Sequence, residues 1–266
     1  SPSFATTIGT FGGTKQLDAL STIQYNANGN QDIATGFTYG NLLLSNSGNK
    51  TVADNLDING NFTTANTANF VDGGSAINHT VAGNFYISSG NYVNPLATIT
   101  LDGTNQDILL SGSTTNVNNL IAAGSGTKTL NGTLSILGNF NINPSVIVDA
   151  NTRAINIGGD FNIGSGQFIQ TTGLTTFNGN SANVQNITSN SNSYLGALTI
   201  NRQGANKTVQ LQSDLTVNGA VILEYDRLPT PVVGYADFNT SGFNLTVGGN
   251  FVYFPLTTLN ATGSTY

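Results

Sequence analysis

The chain has 266 residues, of which 38% are hydrophobic and only 8% are charged, against about 25% in an ordinary globular domain. Its formal net charge is −6, with only 7 Lys and Arg residues. This excludes strong electrostatic binding to a phosphate backbone and therefore nucleic acid as a partner. There is no cysteine and so no disulfide, and no apolar run approaches the ~20 residues that span a membrane. The 32 glycines and the abundance of Asn, Thr and Ser predict a turn-rich, all-β chain.

Taken in order, the chain begins with residues 1–22, which carry little pattern and are predicted to be an edge coil or cap. From residue 23 to residue 266 we predict a single β-solenoid, because short motifs return three times in the same order. The three super-repeats cover about residues 23–98, 99–173 and 174–255. Their period is clearest at Lys50, Lys128 and Lys207, which are 78 and 79 residues apart.

One nine-residue pattern, Leu134–Ile142, is the building block of these super-repeats. Its apolar residues alternate with Ser and Asn, which predicts one half-buried strand with Gly138 on the inward face. The same cassette recurs at residues 56–62, 79–85, 155–161, 215–221 and 245–251.

A period near 78 residues is too long for one solenoid turn but divides into about four turns of ~20 residues. We therefore predict a right-handed parallel β-helix of about 13 rungs. A β-propeller or a row of small sandwiches is the competing architecture, in which Asn-Gly pairs such as Asn59-Gly60 would form hairpin turns.

The third super-repeat is interrupted at residues 224–237, and this insertion is the densest group of charged and aromatic residues. Insertions in solenoids form loops that often carry function. We predict a possible glycan or partner contact there, because carboxylates bind sugar hydroxyls and tyrosines stack on sugars. The candidate residues are Glu224, Tyr225, Asp226, Arg227, Tyr235 and Asp237. We predict no catalytic residue, no metal ligand and no cofactor.

Other polar residues are expected to be structural. His79 is the only histidine and takes the first inward position of its cassette, where we expect a local hydrogen bond rather than acid-base chemistry. We expect the lysines at the repeat positions to be solvated turn residues. Gln31, Gln106 and Gln185, which recur with them, are expected to serve in turns or ladders.

The segment Leu245–Phe251, with residues 206–209 and 177–179 upstream of it, resembles the repetitive β-solenoid surface proteins and adhesins of bacteria that carry LTVxGNF-type repeats and are often exported by the type IX route. The resemblance covers roughly residues 23–255. It implies an extracellular or cell-surface location and a non-enzymatic structural or adhesive role, as a rod or filament subunit or as a segment of a larger adhesin. End-to-end self-association and a cell-surface glycan or protein are the partners it implies. The alternative is a carbohydrate-active β-helix enzyme or glycan-binding module that uses the insertion.

Overall fold

The computed structural model describes residues 17–73, 77–93, 95–111, 116–179, 184–201, 207–224, 236–254 and 257–261. In these residues all regular structure is β-strand. The strands are short, and along most of them buried and partly exposed side chains alternate. This is the period-2 pattern expected of a strand with one face on a core.

The described strands are numbered in chain order. They are β1 (Thr22–Tyr25), β2 (Gln31–Asp32), β3 (Thr38–Tyr39), β4 (Asn41–Leu44), β5 (Ser47–Thr51), β6 (Asp57–Ile58), β7 (Phe62–Thr64), β8 (Thr67–Val71), β9 (Asn78–Val81), β10 (Phe85–Ile87), β11 (Tyr92–Val93), β12 (Thr98–Leu101), β13 (Gln106–Leu110), β14 (Asn116–Val117), β15 (Asn119–Ala122), β16 (Gly126–Leu130), β17 (Leu134–Ile136), β18 (Phe140–Ile142), β19 (Val146–Asn151), β20 (Ile155–Ile157), β21 (Phe161–Ile163), β22 (Gln167–Gln170), β23 (Leu174–Phe177), β24 (Val184–Thr188), β25 (Ala197–Ile200), β26 (Lys207–Leu211), β27 (Leu215–Val217), β28 (Val221–Leu223), β29 (Ala236–Asn239), β30 (Leu245–Val247), β31 (Phe251–Tyr253) and β32 (Thr258–Asn260).

These strands form three faces around one core, and each turn of the chain contributes a strand to each face in the same order. Face one is an eight-stranded sheet from β1 to β22, continued through isolated bridges by β27 and β30. Face two is a four-stranded sheet from β2 to β11 in the early turns and a seven-stranded sheet from β14 to β31 in the later ones. Face three is an eleven-stranded sheet from β3 to β32.

Every pairing between the described strands is parallel. Parallel neighbours cannot be joined by two-residue hairpins. The described part of the chain is therefore a parallel β-solenoid, as predicted, and it lacks the Asn-Gly hairpins of the competing propeller or sandwich.

The predicted number of rungs was too high. The eleven strands of face three are separated by ten complete turns, which span about 50 Å at ~4.8 Å per rung. Residues in register on that face are 19 apart between Tyr39 and Ile58 and 29 apart between Gln210 and Asn239. The estimate of 13 rungs assumed a constant ~20 residues per turn, whereas most turns hold more residues than that, as the residues in register on face three show.

The cassette is a corner between two strands rather than one strand. In Leu134–Ile142 the strands β17 and β18 flank Leu137, Gly138 and Asn139, and Leu137 is 47% exposed. Gly138 therefore does not face the core, and the inward position that the alternation predicted for it is wrong. It is a glycine because a Cβ there would lie 2.3 Å from Asn119 Oδ1 of the preceding turn. The Asn119 side chain, whose Oδ1 accepts the backbone N–H of Asn139 at 2.8 Å, packs so closely on this corner that only glycine fits.

Each corner is held to the next by a ladder of Asn side chains. Asn61 Oδ1 accepts the backbone N–H of Asn84, and Asn84 Oδ1 accepts that of Asp107, both at 2.8 Å. Asn139 Oδ1 accepts the N–H of Asp160 at 2.8 Å in the same way. These bonds satisfy backbone donors at corners, where the sheet ladder is interrupted.

Successive super-repeats are rotated by one face. From β5, which carries Lys50, to β16, which carries Lys128, the chain passes eleven strands, which at three strands per turn is 3⅔ turns rather than four. The cassette corners consequently move round the solenoid. The cassette at residues 56–62 joins face three to face one, that at 134–140 joins face two to face three, and that at 215–221 joins face one to face two.

The core is a column of apolar side chains that repeats from turn to turn. Phe62 stacks on Phe85 with ring centroids 5.3 Å apart, and Phe140 stacks on Phe161 at 5.4 Å. Phe168 closes the second stack edge-on, 5.2 Å from Phe161. At ~25 cal/mol per Å² of apolar surface removed from water, such stacking is the main source of cohesion along the rod.

Candidate functional site

Two of the six predicted contact residues lie in the described part of the chain. Glu224 directly follows β28 on face two, is half-buried, and accepts a hydrogen bond from Asn201 Nδ2 at 3.1 Å through Oε2. Asp237 lies in β29 on face three, in register with Thr208 and Thr258. Tyr225, Asp226, Arg227 and Tyr235 lie outside the described residues. The structure thus places the two ends of the insertion on adjacent faces and does not test its contact role.

Lys50 is fully buried, which contradicts its prediction as a solvated turn residue. Its ammonium donates to the carbonyl oxygens of Ala27, Gly29 and Ser47 at 2.8, 2.9 and 3.0 Å, and to Gln31 Oε1 at 2.9 Å. Burial lowers the pKa of Lys50 below its ordinary value. The ammonium gathers oxygens from two successive turns at one corner.

Lys128 is equally buried in its own corner on face one. Its ammonium donates to the carbonyl oxygens of Gly103, Thr104 and Ser125, at 2.5, 3.5 and 3.3 Å. Burial lowers the pKa of Lys128 to about 8, and the carboxylate of Asp102 opposes that change. The side chain of Lys207 lies outside the described part of the chain.

The wrong prediction for Lys50 and Lys128 has a clear cause. The buried Val52 lies two residues after Lys50, and the buried Leu130 lies two residues after Lys128. Each lysine therefore points to the same side of the chain as a buried apolar residue. Alternation alone therefore placed both lysines inward. Both lysines were instead predicted to be solvated, in line with the rarity of buried lysines that are not paired.

The glutamines of the repeat close corners, as predicted for turn or ladder residues. Gln106 Nε2 donates to the carbonyls of Val81 and Gly83, at 2.7 and 2.5 Å. Gln185 Nε2 makes the equivalent bonds one super-repeat later, to Ile157 at 2.9 Å and to Gly159. In both copies the amide binds the corner glycine of a cassette in the preceding turn.

His79 lies in a polar cluster inside the core. It is 1% exposed, and its Nδ1 accepts the backbone N–H of Leu56 at 3.1 Å, so the ring proton is on Nε2. Burial lowers the pKa of His79 to about 4, and the nearby Asp72 carboxylate raises it in part. Asp72 itself accepts the hydroxyl of Tyr92 at 2.5 Å. The predicted inward position of His79 is confirmed, and its partner comes from the neighbouring turn.

A polar groove on the outer side of face three was missed from the sequence. It has a volume of about 400 Å³ and crosses β18, β21 and β24. Its lining is Asn139, Asn141, Asp160, Phe161, Asn162, Asn186, Thr188 and Gln212. Phe161 is fully buried, so amide, carboxylate and hydroxyl groups form the accessible wall. The signal was the outward residue of each strand, which was assigned only a solvent-facing role.

No metal centre is found within the described ranges, where no three His, Cys, Asp or Glu side chains gather closely enough to hold an ion. None of the described residues forms a helix long and apolar enough to cross a membrane.

The parallel β-solenoid class is the assignment that the structure itself defines. Searches for related proteins add no narrower assignment, since no family model, no curated protein and no solved structure matches the chain.

Proposed function

We propose that this chain is a non-enzymatic, extracellular structural or adhesive element of a cell surface, acting as a rod, as a filament-forming subunit or as a segment of a larger adhesin. The observation that carries the proposal is where the polar residues of the repeat are used. Lys50, Lys128, Gln106 and the corner asparagines all bind backbone groups of adjacent turns. The ammonium and amide groups that an enzyme would present to a substrate here form hydrogen bonds between successive turns.

The mechanism is spacing and self-association. The described part of the chain supplies about ten turns, or about 50 Å of rod, and in this proposal strand edges at the ends of such rods pair with another copy. Head-to-tail pairing of such ends is a heterologous contact that propagates into filaments. We further propose that the helix is right-handed, as the sequence predicted.

Electron microscopy of the concentrated protein tests this role. We expect rods joined end to end, and binding of the protein to cells or immobilised glycans in a pull-down. Dispersed single particles at high concentration, together with no binding to cells or glycans, would contradict the proposal.

The alternative function uses the insertion as a carbohydrate-active or glycan-binding site. It is favoured by one observation, the fixing of the Glu224 carboxylate by Asn201 at the point where the insertion leaves face two. A released-sugar assay over a panel of polysaccharides decides between the two. Activity that Glu224→Gln abolishes would establish the enzyme, whereas no released sugar from any polysaccharide favours the structural role.

A further inference from the structure

The outward side of face three changes character along the rod. In the early turns its polar side chains bond to one another, because Thr38 donates to Asp57 Oδ2 at 2.6 Å and Thr80 donates to Asp57 Oδ1 at 3.0 Å. Two turns after Thr80, the same column of the sheet holds Ile121. The next two members are Asn141 and Asn162, whose side chains make no hydrogen bond within the described part of the chain.

The groove lies where this unbonded pair runs beside the Asn ladder. Asn139 and Asp160 form one wall, and their Oδ1 atoms are occupied by backbone N–H groups of the next turn. Asn141 and Asn162 form the other wall and keep two N–H donors and one carbonyl acceptor each. Asp160 Oδ2 adds an acceptor that no described residue uses, since the hydrogen bonds that this carboxylate accepts go to Oδ1. The groove therefore offers mixed donors and acceptors along about 10 Å of the rod axis.

The chemistry of these walls selects one class of ligand. With a carboxylate and no Lys or Arg among the described residues that line it, the groove repels a phosphate or uronate chain. All three strands beneath it are paired on both sides, so an extended peptide finds no free edge to join, and the buried Phe161 leaves no apolar pocket for its side chains. A linear, uncharged polyhydroxylated chain matches both walls.

We propose that this groove binds a neutral glycan segment, lying along the rod axis with its hydroxyls on Asn141, Asn162 and Asp160. The rung spacing of ~4.8 Å is close to the length of one pyranose ring, so successive sugars meet successive turns. The inference rests on the proposed adhesive role and names the surface chemistry that the rod contacts. The described lining has no exposed aromatic ring, so a single site binds weakly and attachment depends on several rods acting together.

The chain offers a matched control in a second polar groove, of about 500 Å³, that contains Asn69 and Asn91. There the amides are already engaged, since Asn69 donates to Asn49 Oδ1 at 3.1 Å and Asn91 donates to Asn69 Oδ1 at 3.3 Å. The double variant Asn141→Ala/Asn162→Ala thus removes two amides that no described residue binds. The double variant Asn69→Ala/Asn91→Ala removes two amides that already have hydrogen-bond partners.

The experiment is a titration of the whole chain with cellohexaose, maltohexaose, mannohexaose and chitohexaose, followed by NMR of the side-chain amides, with polygalacturonate as the acidic comparison. We expect one neutral oligosaccharide to shift the amides of Asn141 and Asn162, with about tenfold weaker binding in the first double variant and unchanged binding in the control. The inference is wrong if no neutral oligosaccharide shifts these amides, if polygalacturonate binds as well, or if both double variants lose affinity equally. Electron microscopy of the parent chain separates the two proposals, because parent rods that assemble end to end while no neutral oligosaccharide binds them contradict only the groove.

Discussion

The two halves of the solenoid share one backbone design but have different interiors. Up to residue 130 the described core contains four buried side chains of the Lys, Arg, His, Asp and Glu types, which are Lys50, Asp72, His79 and Lys128. From residue 134 to residue 223 the described buried side chains include no Lys, Arg, His, Asp or Glu, and the core there is Leu, Ile, Val and Phe with a few neutral polar groups. The corners nevertheless have the same Gly contacts and Asn bonds in both halves.

This difference separates what builds the fold from what modifies it. The described residues of the second half form turns without buried charge, so stacked apolar side chains and tight corners are sufficient for this architecture. Buried charge is costly to maintain and makes stability depend on pH. The first half should therefore be the pH-sensitive part of the rod.

The largest effect is expected at the corner glycines, and it should be equal in the two halves. A Cβ on Gly83 would lie 2.4 Å from the carbonyl carbon and oxygen of Gly60, and one on Gly159 would lie 2.5 Å from the carbonyl carbon of Gly138. Because backbone atoms cannot move aside, Gly83→Ala and Gly159→Ala should each lower the free energy of unfolding by about 4 kcal/mol. Urea unfolding followed by circular dichroism measures this.

Gly164→Ala is the matched control for both variants. The nearest atom to a Cβ at Gly164 is 3.4 Å away, so this variant should be as stable as the parent chain. A corner glycine that tolerates alanine as well as Gly164 does would refute the close-stacking account of the cassette.

The next effect is acid destabilisation of the first half through His79. Its folded pKa of about 4 lies below the ordinary 6.5, so the unfolded chain binds the proton more tightly. The free energy of unfolding should fall as the pH drops from 6.5 to 4, by about 3 kcal/mol. The structural cause is that protonated Nδ1 would face the Leu56 N–H, a donor against a donor.

His79→Leu places in this corner the residue that the cassette has at Leu134. Unfolding measured at several pH values should show a smaller acid loss in the variant than in the parent chain. If both chains lose the same free energy between pH 6.5 and pH 4, His79 is not the acid-sensitive group.

A smaller loss is expected when the corner ammonium groups are removed. Lys50→Met and Lys128→Met leave carbonyl oxygens without their donor and should each cost about 2 kcal/mol at pH 7. The folded pKa of Lys128, about 8, lies below its ordinary value of 10.5, so the parent chain should gain stability relative to Lys128→Met as the pH rises from 8 to 10.5.

Gln185→Met in the second half is the neutral comparison, because it removes an uncharged corner donor. Its cost should not change with pH over the same range. A pH-independent difference between the parent chain and Lys128→Met would show that the lysine keeps its ordinary pKa when buried.

The smallest effect is expected in the Asn ladder. Asn61→Ala and Asn139→Ala each remove one acceptor of a backbone N–H and should cost about 1 kcal/mol in either half. Asn162→Ala, whose side chain has no bond in the described chain, should leave the melting temperature unchanged. A ladder variant as stable as Asn162→Ala would mean that water replaces the lost acceptor without cost.

Much of the fold could be predicted from the sequence because its signals are local. Alternation in Leu134–Ile136 and Phe140–Ile142 predicted inward side chains that are all buried, and the cassette recurrence predicted a solenoid. The number of turns could not be predicted, because the length of each corner depends on how many residues the stacked backbone must hold. The predicted single strand at Leu134–Ile142 was wrong for a related reason, since residues on the two sides of a corner can both point inward.

The polar groups were predictable only in part. His79 was placed correctly because it follows the cassette, whereas Lys50 and Lys128 were misplaced because their four and three acceptors come mostly from an adjacent turn, 19 to 25 residues away. The groove on face three could not be predicted from the sequence for the same reason. Asn141 and Asn162 are 21 residues apart in the chain and become neighbours only when β18 pairs with β21.

The sequence by itself determined that this protein is a repetitive, all-β solenoid with an apolar inner side, because side-chain alternation and the return of the cassette are properties of neighbouring residues. Only the tertiary structure decided that each super-repeat takes 3⅔ turns, so that equivalent lysines and cassettes lie on different faces. The number of residues in each corner sets that fraction, and it is fixed by how closely one turn's backbone packs on the next.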